Sequence, residues 1–249
     1  MPCTSYASVR IPSVCFISCH CPGYLVNSKT NFIVKRILIL FCIVLQGSGA
    51  GAQTLMDSTV YYKGLRLIES AKSWQDYEMA GNYFDVLTTM KYDEWLAPLY
   101  SALSFILASF HETSGKIKDS LLDKAQVYID TSGMRHPDIS ELASMQAFLY
   151  QARIDVSPIE RGLVFSQKAD TEIKKAEAAN PGDPRAYFLY AMNVYYMPKI
   201  FGGGAEKALP LFEQTAEKFN TFVPKMPFMP SWGKQQNLEM ITKCKGMVK

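Results

Sequence analysis

The sequence predicts an all-α protein in which antiparallel helix pairs stack into about four repeats, followed by a C-terminal capping helix. Apolar residues recur at spacings of three and four throughout residues 57–244, and no segment alternates as a half-buried strand does. The breaks between these segments carry Gly, Pro, Asn and Asp, which end and start helices. A small residue followed four positions later by a large one recurs in every second predicted helix, which indicates a repeated unit.

The first segment of the chain, residues 1–33, fits none of these patterns. It has no helical or strand period and no acidic residue, and it is rich in Pro and Cys. We therefore predict a non-native or disordered extension, with the real chain starting at Val34. Cys15, Cys19, His20 and Cys21 could in principle ligate zinc, but their spacing matches no standard zinc motif and a second ligand pair is missing. The sequence thus predicts no metal site.

Residues 34–52 are typical of a secretory signal peptide. A short basic region at 34–36 precedes nine apolar residues at 37–45, and Ala50-Gly51-Ala52 supplies the small residues that a signal peptidase requires. Nine residues span only about half of the hydrocarbon core of a bilayer, which argues against a membrane-spanning helix. We expect cleavage before Gln53, a periplasmic or secreted protein, and no stable membrane anchor after cleavage.

Composition separates this leader from the rest of the chain. The net charge of +3 includes four basic residues and no acid in residues 1–52, so residues 53–249 hold 22 basic and 23 acidic residues. Such a nearly neutral domain does not indicate nucleic-acid binding. Five of the six cysteines also lie before residue 53, and the remaining Cys244 excludes a disulfide framework. With 48% hydrophobic residues the chain can bury a substantial core.

The helices follow in order from residue 57. Ser114-Gly115 and Ser132-Gly133 are expected to end helices, because glycine readily adopts the left-handed conformation. Asn180-Pro181-Gly182 ends the sixth helix, and Asp183-Pro184 starts the seventh with an N-cap and an N-terminal proline. The predicted helices are 57–70, 74–90, 94–112, 117–130, 140–155, 158–179, 184–197, 205–219 and 232–244.

The repeated unit consists of a small and a large apolar residue four positions apart. A further small residue precedes each pair in the partner helix, which permits close approach of the two helices while the large residue fills the remaining gap. A plain helical bundle with chance recurrence of Ala is the alternative. The pairs are Ala80/Phe84, Ala125/Ile129, Ala169/Ile173 and Ala208/Phe212, and the preceding small residues are Gly64, Ala102, Ala147 and Ala191.

The last unit resembles a tetratricopeptide repeat. Asn180-Pro181 between units, an aromatic at Tyr187, a small residue at Ala191 and then Ala208 and Phe212 match that pattern. Over residues 57–220 the chain is similar to divergent tetratricopeptide proteins exported by Gram-negative bacteria. The units are longer than the typical repeat of about 34 residues, and residues 197–204 form an insertion. The resemblance implies a right-handed superhelical scaffold that binds a protein or peptide through its concave face, with no catalysis and no cofactor.

If the small residues mark equivalent positions, the first helix of each pair presents its side chains to this face. In the second pair those positions are wholly apolar and must be covered by the chain or by a bound peptide. A helical binding protein that holds a small apolar ligand or lipid in this second pair is the alternative function. The apolar positions are Leu96, Leu99, Leu103, Ile106 and Leu107; the predicted partner-binding residues are Tyr61, Phe148, Gln151, Arg185, Phe188, Met192, Tyr195 and Tyr196.

The segment that contains Pro224, Pro227 and Pro230 is predicted to be a strap that packs down over the final repeat before the capping helix. Catalysis is not expected. After cleavage only His111 and His136 remain, and neither lies in a recognisable catalytic or metal-binding frame.

Overall fold

A computed structural model describes residues 49–90 and 95–248, and within these ranges the chain is all-α, with no strand. The predicted fold class is therefore confirmed. Contacts divide the chain into two compact units, residues 1–53 and 54–249. The extension at 1–33, with its cysteine cluster, and most of the predicted signal peptide lie outside the described residues. The helices are α1 Gly49–Ser70, α2 Trp74–Met90, α3 Leu96–Phe110, α4 Gly115–Gly133, α5 Ile139–Val156, α6 Pro158–Ala179, α7 Pro184–Tyr196, α8 Ala205–Thr221 and α9 Lys234–Met247, with a 3₁₀ turn at Lys199–Phe201.

The helix boundaries agree with the sequence pattern except at a few ends. The side chain of Asp183 accepts a hydrogen bond from the backbone N–H of Arg185, as expected for an N-cap. Gly115 is the first residue of α4 and not the end of α3, which stops at Phe110. The capping helix begins two residues later than predicted, because Gly233 adopts a left-handed φ of 101° that excludes Trp232 from it. The predicted cleavage point before Gln53 falls inside α1.

The helices pack in chain order. Each helix from α2 to α8 contacts the next one, and α1 contacts α2 through the hydroxyl of Tyr83, which donates to the carbonyl of Val60 at 3.0 Å. In addition α3 contacts α5, and α5 contacts α7. The first helices of successive pairs therefore share one layer, as stacked antiparallel pairs do. The handedness and pitch of a tetratricopeptide superhelix remain predictions.

The small and large residues of the predicted unit form the core. All four pairs and all four preceding small residues are buried. One core cluster combines buried residues of α1 to α5, and a second combines residues of α5 to α9. Phe148 of α5 and Trp232 pack against both clusters, so they mark the junction between them. Within the described residues no helix is long and apolar enough to cross a bilayer. Cys244 is a free, buried thiol of the second cluster.

The contact between Gly64 and Phe84 shows why the preceding residue must be small. A Cβ atom on Gly64 would lie 2.4 Å from Cζ of Phe84, well inside van der Waals contact. The Phe84 ring cannot withdraw, because it is fully buried and stacks on Tyr100 at a centroid distance of 4.9 Å. Close packing of α1 on α2 therefore depends on the missing side chain.

Gly64→Ala is expected to lower the free energy of unfolding by roughly 1–2 kcal/mol, because the overpacked ring outweighs the gain in helix propensity. Gly162→Ala in α6 is the matched control, since no atom lies within 4 Å of its added methyl group. That variant should gain about 0.5–1 kcal/mol from propensity alone. Urea unfolding measures both values, and a stabilised Gly64→Ala variant would contradict the contact.

Candidate functional site

The segment between α8 and α9, residues 222–233, runs back across the first helices of all four pairs. We call this segment the strap. Its Phe228 carbonyl accepts a hydrogen bond of 2.8 Å from the hydroxyl of Tyr100 on α3. Its Lys225 forms an ion pair of 2.7 Å with Asp138 at the start of α5. The strap therefore does not pack over the final repeat alone, as the sequence predicted, but extends to the first repeat.

Phe228 inserts its side chain between tyrosines of α1. Its ring stacks on Tyr61 at a centroid distance of 5.5 Å and meets Tyr62 edge-on at 5.1 Å. The backbone of Phe228 has a φ of 62°, which is unusual for a bulky residue. Such a conformation persists only where surrounding contacts enforce it. The tyrosine contacts and the hydrogen bond to Tyr100 supply that constraint.

A buried ion cluster holds the middle of the strap. Both terminal nitrogens of Arg185 donate to the carboxylate of Glu141, one of them at 2.6 Å, and its Nε donates to Asp183 at 2.9 Å. The same guanidinium also donates to the carbonyl of Pro230 at 2.6 Å. All three charged side chains are almost completely buried. One guanidinium thus balances two carboxylates and anchors the strap to α5 and α7.

The electrostatics of the cluster reflect this unequal balance. Burial raises the pKa of Glu141 to about 7, and the nearby Asp183 adds to the rise, although Arg185 opposes it. For Arg185, burial alone would lower the pKa, but the negative charges of Glu141 and Asp183 outweigh burial and raise the pKa above its ordinary value. Burial, with a smaller effect of Glu141, also raises the pKa of the Tyr100 hydroxyl. The guanidinium therefore stays charged while Glu141 can take up a proton near neutral pH.

A row of three aromatic rings lies beside this cluster. Phe110 stacks on Phe148 at a centroid distance of 5.7 Å, and Phe148 stacks on Trp232 at 5.0 Å. The planes are tilted by only 29° and 19°, and the Arg185 guanidinium carbon lies 5.9 Å from the Trp232 ring centre. Phe110 is 41% exposed, and the indole N–H of Trp232 is buried without a hydrogen-bond partner. The three rings of this aromatic row are therefore stacked one on the next, and the end of the stack at Phe110 is partly open to solvent.

The predicted partner-binding residues fall into two groups. Those near the strap make contacts within this chain. Gln151, for example, donates to the carbonyl of Leu189 and to the side-chain oxygen of Asn193, both at 2.7 Å, and so connects α5 to α7. Tyr195 and Tyr196 lie at the C-terminal end of α7 and contact each other edge-on at 4.9 Å. Tyr61, Arg185 and Phe188 are buried, Phe148, Gln151, Met192 and Tyr195 are partly buried, and Tyr196 is exposed.

The apolar face of the second helix pair is not a cavity. Leu96, Leu99, Leu103 and Ile106 are buried in the first core cluster, so other parts of the chain cover this face. Two shallow surface grooves of about 530 and 370 Å³ are lined by residues of α1 and of α9, respectively, and neither contains a residue of the aromatic row. Of the two kinds of cover that the sequence left open for this face, the chain itself therefore supplies it.

Two members of the aromatic row, Phe110 and Trp232, are not among the residues that the sequence predicts for a binding site. Phe110 is the last residue of α3, where the helical pattern no longer predicts which side is covered. Trp232 was assigned to the capping helix, but the left-handed Gly233 next to it is a signal that could have moved it into the strap. Of the described histidines, His111 follows Phe110 in the chain but its ring packs on Tyr77 with a centroid distance of 4.8 Å, and His136 is exposed. Among the described residues, no group of three or more His, Cys, Asp or Glu side chains could hold a metal ion.

Comparison with known protein families and with curated proteins yields no match. Among solved structures, the chain is similar to the HusA haemophore from Porphyromonas gingivalis, with a TM-score of 0.68 and 27% sequence identity. The match covers 77% of this chain and 94% of the haemophore. The all-helical fold is therefore shared with a bacterial haemophore. This likeness agrees with a non-catalytic binding role.

Proposed function

We propose that this chain is an exported binding protein whose ligand is a flat, largely apolar ring system of the haem class. The observation that carries the proposal is the likeness to a haemophore over nearly the whole length of that protein. The working domain would be residues 53–249, released after cleavage of the leader at 34–52. Of the two functions considered from the sequence, this proposal favours the small apolar ligand.

The aromatic row is the proposed binding surface. Aromatic rings prefer offset stacking on other flat π systems, and such pairs contribute beyond the area that they bury. Phe148 and Trp232 lie behind Phe110 in a stack whose rings are already close to parallel, so Phe110 is the open end of that stack. A planar macrocycle can therefore stack on Phe110 without rearrangement of the helices. The His111 ring is turned onto Tyr77, so stacking rather than ligation by this histidine carries the proposal.

A protein or peptide partner remains the second candidate, and one observation favours it. The strap is itself a non-helical peptide segment that lies across the first helices of the pairs, with its carbonyls bonded to Tyr100 and Arg185. The same face thus accepts main-chain atoms as well as aromatic side chains. A partner would need to engage the exposed Tyr196 end or displace the strap.

Titration of the purified chain with haemin, followed by absorbance, tests the first candidate. Phe110→Ala should weaken haemin binding at least about tenfold, because it removes the exposed ring of the row. Phe165→Ala is the matched control, since Phe165 lies on α6 and packs on Tyr150 and Lys168 instead. Absence of haemin binding by the unmodified chain, or equal losses in both variants, would reject the aromatic row as the site.

A further inference from the structure

The insertion between α7 and α8 presents two large apolar side chains to water. Ile200 is 85% exposed and Phe201 is 71% exposed, and both lie in the 3₁₀ turn together with the exposed Lys199. We call these three residues the tip. Large apolar side chains that stand together on a surface commonly mark an interaction site.

The turn that carries the tip is tightly built. The backbone N–H groups of Phe201 and Gly203 both donate to the carbonyl of Pro198, and that of Gly204 donates to Val194 at 2.9 Å. A Cβ atom on Gly203 would lie 2.2 Å from the carbonyl oxygen of Met197, so only glycine fits there. The exposure of the two apolar side chains is therefore a consequence of a defined backbone conformation and not of a loose loop.

The surroundings of the tip combine aromatic, apolar and basic side chains. Tyr196, at the end of α7 and three residues before the turn, is exposed and contacts Tyr195. The Tyr195 hydroxyl lies 3.5 Å from the sulfur of Met247, and the Lys243 ammonium lies 5.2 Å from the Tyr195 ring centre. The C-terminal end of α9 thus continues the same surface. Met247 and Val248 are exposed there as well.

We propose that the tip inserts into the interfacial region of a bilayer that carries anionic headgroups. Tyrosine rings favour this region, and exposed lysines nearby are attracted by anionic lipids. Lys199 in the tip and Lys243 beside Tyr195 provide that positive charge. Two apolar side chains on a narrow turn offer far less area than a specific protein interface buries, whereas a small apolar insertion suffices for weak, reversible membrane contact.

A second pair of exposed apolar side chains, on α6, can be compared with the apolar side chains of the tip. Ile159 and Leu163 on α6 are exposed to a similar degree, but they lie on a helix surface and flank Glu160 and Arg161, whose guanidinium is already paired with Asp119. The proposal assigns bilayer contact to the tip and not to this pair. It is independent of haem binding, because the tip shares no residue with the aromatic row.

Co-sedimentation of the exported form, from which the apolar leader has been removed, with phosphatidylcholine vesicles, with and without phosphatidylglycerol, tests the inference. The chain should bind the anionic vesicles, and the double variant Ile200→Ser/Phe201→Ser should reduce the bound fraction at least about tenfold. The control Ile159→Ser/Leu163→Ser should bind as the unmodified chain does. Lys199→Gln/Lys243→Gln should lower binding to the anionic vesicles only.

Circular dichroism melting curves establish that each variant is folded. Failure of the unmodified chain to bind anionic vesicles would overturn the proposal and favour insertion of the tip into a pocket of a partner protein. An unchanged bound fraction in the tip variant, or an equal loss in the α6 control, would also overturn it.

Discussion

Arg185→Met is expected to lower the free energy of unfolding by about 3–5 kcal/mol near pH 8, because it leaves two buried carboxylates without their counter-charge. Glu141 and Asp183 are both almost fully buried, and Arg185 is the cation that pairs with each of them. The variant also loses the hydrogen bond to the Pro230 carbonyl that fixes the strap. Lowering the pH to about 5 should restore part of the loss, because Glu141, whose pKa burial raises to about 7, then becomes protonated and loses its negative charge.

Lys225→Met is the matched control for this variant. Lys225 also connects the strap to a carboxylate, that of Asp138, but its side chain is 58% exposed. Exposed ion pairs contribute about 1 kcal/mol or less, so this variant should unfold at nearly the same urea concentration as the unmodified chain. A loss of less than about 1 kcal/mol in Arg185→Met would mean that the buried cluster does not hold the strap.

The stability of the unmodified chain is expected to fall by about 3 kcal/mol between pH 4.5 and pH 7 through Glu141 alone. The pKa of Glu141 rises from its ordinary value of 4.5 to about 7 in the folded state, chiefly through burial. As the pH rises through 4.5 the unfolded chain releases this proton first, while the folded chain keeps it until about pH 7. The folded state therefore binds more protons within this window, and its stability decreases with pH.

Urea unfolding at a series of pH values measures this slope. Glu141→Gln should remove it, because the carboxamide cannot titrate, whereas Glu217→Gln at an exposed position of α8 should retain it. Asp119 beside Arg161 has a lowered pKa and titrates below the window. Glu177, whose pKa burial raises, adds a smaller slope of the same sign, which Glu141→Gln leaves in place. An equal slope in all three proteins would show that Glu141 does not titrate in this range.

The core of the fold could be predicted from the sequence because it repeats. The four small and large pairs recur at similar spacing, and each of them is buried where the pattern places it. Gly64 illustrates the physical reason: the absence of a side chain is visible in the sequence, and its consequence is a local contact with Phe84. Helix starts such as Asp183-Pro184 are equally local, since the cap bonds a backbone group two residues away.

The candidate site could be predicted only in part. Phe148 and Arg185 were chosen from their helical positions, and both contact the strap, Phe148 through Trp232 and Arg185 through Pro230. Their roles could not be assigned, since helical periodicity shows which side of a helix is covered but not what covers it. Trp232 and Phe110 were missed because they lie where the helical pattern ends.

The all-α class, the order of the helices and the small residues that allow them to approach could all be predicted from the sequence. These properties depend on contacts within one helix or between neighbours in the chain, so they produce a periodic pattern of residues. The path of the strap, the burial of Arg185 with Glu141 and Asp183, and the stacking of the aromatic row are visible only in the folded chain. Residues 222–233 reach Tyr61 of α1 across more than half of the described chain. No local pattern encodes so distant a contact, because it is determined by the packing of all the helices between them.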